Sequence, residues 1–378
     1  MNVIGRWYFA SRKTIQVMNR KRRIKSVIKN VLYFLLYSLR FFDLLIKILT
    51  KIRKQHPCII LNYHRIVDDN SRYLSKGPVV HHHLKHFKKE IPYLNKNYRI
   101  LSMDEVVRCM KSGLGFRKPS VAITFDDGYL DNYTLAYPVL KRHRAPATIY
   151  LATGLIGTLE RTWTDQIELA LLETKKDRFI LPELFSNETL RIRTKEEGEQ
   201  VNIKVAEALK LRPDEERREL MRNLFKILEL DYTCRSNLKS RMMLNWGEVQ
   251  KMAQNGITIG AHSHTHPILS RMPPHEAKKD IFISKKTIEE NLGIKVKHFA
   301  FPNGREEDFT EELRDYCRKI GFESIASVVY GMNNGQNGSV MNLKRIGARS
   351  PVWLMAGELF KGMIHFYRMP KNGKRFTP

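Results

Sequence analysis

Val121-Ala122-Ile123-Thr124-Phe125-Asp126-Asp127-Gly128-Tyr129 is a short apolar run that ends in two adjacent carboxylates and a glycine. Its β-branched and aromatic content, its length and the Asp-Gly stop read as a buried strand running into a turn. Runs of the same kind recur at Cys58–Tyr63, Ala147–Leu151, Ile257–Ile259, His298–Phe301 and Phe322–Val328. Between them lie segments of helical period: His86–Asn95, Asp104–Lys111, Ala136–His143, Trp246–Gln254 and Pro274–Leu292. Ser102 precedes Glu105 by three residues and Asn245 precedes Glu248 by three, two capping-box signatures at helix starts. Strand and helix signals that alternate with short connections predict a parallel sheet, open or closed into a barrel. In both forms, reactive groups gather where strands end at their C-termini.

Two stretches depart from the alternation. From about 163 to 240 the chain reads as helical and highly charged, with no clear strand. It is expected to emerge as an insertion after Ala147–Leu151, a solvated cap or a wall beside the substrate. At the other end, residues 1–55 hold 14 Lys/Arg against one acid, Asp43, about half of the chain's net charge of +27. There Arg20-Lys21-Arg22-Arg23 precedes an apolar stretch from Val31 to Leu49, interrupted by Arg40, Asp43 and Lys47, whose spacing puts them on one helical face. The uncharged run is nine residues, short of the ~20 needed to span a bilayer. The arm therefore reads as an amphipathic helix on an anionic membrane surface, with a strained single span or a helix packed on the protein's own core as alternatives. No A-x-A-like cleavage site follows it, and the four cysteines are widely spaced without a CxxC, which together favour the cytoplasmic side. No zinc-finger or RNA-recognition signature accompanies the basic charge, and nucleic acid is not an expected partner.

The strand ends carry the chemistry. Of two carboxylates at one strand end, one can bind a cation while the other stays free as a base, although an Asp-Gly pair alone also makes a plain turn. Ile259-Gly260-Ala261-His262-Ser263-His264-Thr265-His266 places three histidines at alternate positions after a strand. Imidazole nitrogen with carboxylate oxygen suits Zn²⁺, and also Co²⁺, Ni²⁺ or Fe²⁺, and three protein ligands leave positions open for water and substrate. Phe299-Ala300-Phe301-Pro302-Asn303-Gly304 is a strand entering a tight turn whose backbone N–H groups can face an oxyanion.

Taken in this order, the three motifs resemble those of the polysaccharide deacetylases, carbohydrate esterase family 4. The resemblance covers roughly residues 56–350 and implies an α/β fold: a distorted (β/α)7-type barrel with the helical insertion and the N-terminal membrane-associated helix as additions. It implies Asp126 as general base, Asp127, His262 and His266 as ligands of a divalent metal ion, with zinc first, and the backbone N–H of Asn303 at the oxyanion. His264 falls at a variable position. The arginine usual before the third motif is missing, and Arg345 is the candidate to orient Asp126. The late Leu-x-x-His motif is missing too, but Leu61-Asn62-Tyr63-His64-Arg65 ends the first strand with a histidine, as in rearranged members acting on poly-N-acetylglucosamine-type exopolysaccharides. His64 is accordingly the expected acid. Trp163 and Asp165 join Arg345 as candidates on the substrate side.

The expected activity is metal-dependent removal of N-acetyl groups from an N-acetylated glycan or a lipid-linked saccharide. Deformylation or O-deacetylation of a lipid-linked sugar, or a catalytically silent glycan-binding protein on the same scaffold, are the alternatives.

Overall fold

In the computed structural model, which describes residues 27–71, 73, 74, 77, 79–232, 241–335 and 339–368, the apolar runs become strands β1 (Cys58–Tyr63), β2 (Arg99–Ile100), β3 (Ser120–Phe125), β4 (Ala147–Leu151), β5 (Ile257–Ala261), β6 (His298–Ala300), β7 (Ser324–Ala326) and β8 (Arg345–Gly347). All pair in parallel, in the order β7-β6-β5-β4-β3-β1-β8, with β2 beside the start of β3. The seam between β7 and β8 is bridged through Leu343, whose N–H donates to Ile325 O at 2.8 Å and whose carbonyl accepts from Ser327 N at 2.9 Å. Seven strands thus come close to a closed barrel, as expected from the motifs. β8 is three residues long and has no readable apolar run of its own.

The period of two along each strand divides the core. Ile59, Leu61, Val121, Ile123 and Ile149 face the outer helices, whereas Ile60, Ala122, Tyr150, Ala300 and Ala326 form an inner cluster. Small residues on the inner face make room for large ones. A methyl group added at Gly260 would stand 2.5 Å from the Tyr150 ring, so β5 needs glycine there to lie beside β4. Asn62, Thr124 and Asp126 continue the inner parity of Ile60 and Ala122 upward, which aims them into the barrel mouth. Around the sheet lie helices Leu84–Asn97, Met103–Lys111, Tyr137–Arg142, Trp246–Gln254, Pro274–Leu292, Glu311–Lys319 and Val352–Arg368. The capping boxes at Ser102/Glu105 and Asn245/Glu248 both form.

The insertion contains helices Trp163–Glu173, Lys195–Lys210 and Asp214–Ile227, and it also contains a two-stranded antiparallel ribbon, Arg178–Ile180 with Thr189–Arg191, where no strand was expected. Two three-residue strands are too short to show a period. The insertion has a core of its own, in which Trp163, Ile167, Phe179, Leu190, Val205, Leu209 and Leu224 are buried together. Residues 233–240 of the expected insertion lie outside the described residues.

The N-terminal arm differs most from its reading. The basic cluster at 20–23 lies outside the described residues. The apolar stretch forms two helices, 27–38 and Phe41–Ile52, separated by Arg40 at φ 55°. No helix among the described residues is long and apolar enough to cross a membrane. One side of the pair packs on the barrel: Phe42 and Ile46 join the main core, and Phe42 meets Phe360 at 5.4 Å between ring centroids while Phe34 meets Trp353 at 5.3 Å. Asp43 turns inward, buried and paired with Lys96 at 2.5 Å, while Lys47 is exposed, so the three charges do not share a solvent face. The opposite side leaves Val31, Leu32, Leu35, Leu39, Leu44, Ile48 and Ile52 exposed.

Candidate active site

Three strand ends supply the centre. Asp126 and Asp127 follow β3, His64 follows β1, and His262 follows β5. Asp127 sits at φ 74°, His266 at φ 56°, Ser263 at φ 65° and Asn303 at φ 58°. Of the eight non-glycine residues with positive φ among those described, four belong to the three motifs, so backbone strain is concentrated where side chains must be aimed.

Asp127 Oδ1 lies 2.9 Å from His266 Nε2 and 3.4 Å from His262 Nε2, and the ligand atoms of the three lie within 4.8 Å of one another. His262 Nδ1 is 2.8 Å from the Ala300 carbonyl, which can only accept, so Nδ1 carries the proton and Nε2 presents its lone pair to the cluster. Asp127 Oδ1 is buried without a hydrogen-bond partner. A buried carboxylate oxygen and bare imidazole nitrogens converging on one point fit a divalent cation. Burial pushes the Asp127 carboxyl up, but His266 and His262 outweigh it and hold it well below the usual carboxylate range. Burial likewise lowers His262, yet the Asp126 and Asp127 carboxylates leave it raised.

Asp126 is gripped from the opposite side. Arg345, fully buried on β8, donates from Nη1 to Oδ1 at 2.7 Å and from Nη2 to Oδ2 at 2.8 Å. Asn62 Nδ2 donates to the same Oδ2 at 3.1 Å, while Asn62 Oδ1 accepts from Arg345 at 3.0 Å. Arg345 Nε donates to Ser327 O at 2.8 Å, so the guanidinium is itself held across the barrel seam. This two-pronged pairing with further bonds satisfies a buried ion pair that would otherwise be costly. Burial raises the Asp126 carboxyl, and Arg345, His262 and His64 together bring it below its ordinary value. His64 Nε2 stands 4.0 Å from Asp126 Oδ2, and burial lowers its imidazole.

A cavity of about 210 Å³ is lined by His64, Asp126, Asp127, His262, His266 and Asn303, with Trp163 and Lys210 contributed by the insertion and Arg305 by the third motif's turn. Arg217 lies over the Trp163 ring at 4.8 Å, which covers one face of the indole. Asp165 does not join them. Its carboxylate accepts from Tyr129 Oη at 2.9 Å and Thr162 Oγ1 at 2.7 Å, behind the cavity wall, because it occupies the first turn of a helix capped by Thr162. Nor does Arg345 face substrate; it holds Asp126. His264 is a framework residue, with its N–H on Asp280 and its ring on Thr153. The Asn303 side chain is taken up by Asp308 at 2.5 Å, which leaves its backbone as the part that can address a ligand. Asn62 escaped the sequence reading. An amide inside Cys-Ile-Ile-Leu-Asn-Tyr, with its side chain due on the inner face, was the available signal.

The centre, a donor set that could hold a metal ion, lies in a near-closed parallel barrel, and residues 114–183 and 224–325 match the family model of the polysaccharide deacetylases. Bacillus subtilis YxkH, which bears the polysaccharide deacetylase name, is 35 % identical over 122 residues, 31 % of this chain and 40 % of its own length. The poly-β-1,6-N-acetyl-D-glucosamine N-deacetylase of Staphylococcus aureus is 31 % identical over 113 residues, 28 % of this chain and 39 % of its own. The chain thus spans about two fifths of the length of these curated relatives. Among solved structures, IcaB from Ammonifex degensii superposes with a TM-score of 0.52 at 16 % identity, over 82 % of this chain and 98 % of that one, a likeness of fold. His64, Lys210 and Arg345 all lie outside the residues that the family model matches.

Proposed function

We propose that the chain is a metal-dependent N-deacetylase of an N-acetylated glycan or lipid-linked saccharide, acting at an anionic membrane surface. The observation that carries the reading is one carboxylate, Asp126, immobilised by Arg345 and Asn62 beside a separate Asp127/His262/His266 donor set in the same cavity. Those three residues would hold a divalent cation, zinc first among those their chemistry suits, which would supply Lewis acidity at the acetamide carbonyl and a more acidic water. Asp126, kept ionised by its guanidinium, takes the proton of a water whose oxygen bonds to the carbonyl carbon. The Asn303 backbone N–H stands at the edge where negative charge develops on the carbonyl oxygen. When the C–N bond breaks, His64 hands a proton to the departing nitrogen, and free amine and acetate leave. The same machinery serves a formyl amide or an O-acetyl ester with a different acyl pocket. A silent binding scaffold has no use for a buried base locked by its own arginine.

The substrate named for the Staphylococcus aureus relative directs the test to β-1,6-linked N-acetylglucosamine oligomers. Acetate release is measured with and without chelator. His262→Ala and His266→Ala are expected to lose stoichiometric metal, whereas Asp126→Asn and His64→Ala keep the metal and turn over at least about 100-fold more slowly. Full metal content in His262→Ala, or undiminished turnover in Asp126→Asn, refutes the assignment.

A further inference from the structure

The insertion brings a charge into the catalytic cavity. Lys210, the last residue of helix Lys195–Lys210, is buried to a side-chain exposure of 10 % and lines the same cavity as the donor set. An ammonium in that position needs an anionic partner to offset its desolvation. Its partner is Glu207, one turn earlier on the same helix, at 2.8 Å. Glu207 is shared: Arg305, in the turn that carries Asn303 and on the same cavity, donates from Nη2 to both of its oxygens at 3.0 and 2.9 Å. Among the described residues no other acid lies within ion-pair distance of either cation. Two cations therefore share one carboxylate, and that carboxylate is substantially exposed, with 43 % of its side-chain surface open. Two positive charges and one exposed carboxylate thus stand together on a cavity of about 210 Å³, below the usual ~300–1,000 Å³ of ligand pockets and suited to a single sugar unit.

Because the cavity holds one unit, the group that meets Lys210 and Arg305 is a substituent of that unit or of its immediate neighbour. We propose that Lys210 and Arg305 form a subsite for an anionic group, a phosphate or a carboxylate, carried next to the N-acetyl sugar, so that the substrate is an acidic saccharide. An incoming anion takes the place of Glu207 between the two cations, and Glu207 turns to solvent. Lys210 lies in the stretch between 183 and 224 that the family model leaves unmatched, whereas Arg305 lies within the matched residues, so the insertion supplies one of the two cations. The inference rests on the N-deacetylase reading for what is done to the sugar, but not for whether the anion binds.

The test uses the metal-loaded full chain and three probes: a neutral N-acetylglucosamine oligomer, N-acetylglucosaminyl phosphate, and a disaccharide of N-acetylglucosamine with a glucuronic acid. Calorimetric binding is read first. An acidic probe should bind at least about tenfold more tightly than the neutral one at low salt, with the preference shrinking as ionic strength rises. Lys210→Met should reduce that preference about tenfold. Glu207→Gln, on an exposed side chain, should increase it, an effect that a merely structural ion pair would not produce. Whichever acidic probe wins identifies the phosphate of a lipid-linked sugar or the uronic acid of a polymer as the source. Equal binding of neutral and acidic probes in the wild type, or no change of preference in either variant, overturns the inference. Acetate release is read separately. Selective binding without acetate release from any probe overturns the N-deacetylase reading and leaves the anion subsite standing.

Discussion

At the residue scale, the site separates two tasks that share a dipeptide. Asp126 and Asp127 are neighbours, but the positive φ of Asp127 turns it toward the histidines while Asp126 stays with the inner parity of β3. The pair was legible in the sequence because the residues are contiguous. Arg345 was only a candidate, since a guanidinium 219 residues away has no local mark, and Asn62 was passed over as part of an apolar strand. Buried titratable groups outside the centre have consequences for stability. Glu168, on the helix behind the cavity, accepts from Leu74 N at 3.0 Å, and burial raises its carboxyl to about 7. Its folded value lies above its unfolded one, so the folded state holds the proton over that interval. The contribution of this group to stability is full below pH 4.5 and is lost as pH rises through about 7. Glu168→Gln removes the charge to be buried. Its denaturant midpoint should exceed the wild type's at pH 8, by a stability on the order of 2–3 kcal/mol, and match it near pH 4.5.

At the element scale, long helices with caps were read to within a residue or two, as at Trp246–Gln254 and Pro274–Leu292. Three-residue strands such as Arg345–Gly347 and the ribbon at Arg178–Ile180 were not, because three residues carry no period and their pairing is decided by distant partners. The N-terminal arm was legible only in part, for a different physical reason. Apolar side chains signal burial without saying in what, and the pair of helices is apolar on both sides, one against Phe360 and Trp353 and the other outward. Since Phe42 is 2 % exposed within the main core, Phe42→Ala is expected to destabilise the protein by about 3–5 kcal/mol. Chemical denaturation measures it. A change below about 1 kcal/mol would return the helix to the role of a detached arm.

At the scale of the whole molecule, the outward face of residues 27–52 concerns the proposed contact with a membrane. Its exposed leucines and isoleucines are flanked by Arg40, Lys47, Lys51, Arg53 and Lys54, the arrangement by which an interfacial helix meets anionic lipid. Sedimentation with vesicles containing phosphatidylglycerol is expected to carry the protein down, with less bound at high salt. Leu35→Ser with Leu44→Ser should release most of it, and equal binding to neutral vesicles in both proteins would refute the contact. The route of the chain around the barrel has a consequence for how the protein is made. The carboxylates of β3 emerge early in synthesis and the histidines after β5 follow, but the guanidinium that aims the base arrives with β8, the last strand to close the seam. The donor set Asp127, His262 and His266 is thus synthesised before the residue that holds Asp126, and on the proposed mechanism turnover waits until synthesis has passed the final strand. On the proposed mechanism, a chain cut off before residue 345 is expected to show no turnover, because it lacks the guanidinium that holds Asp126.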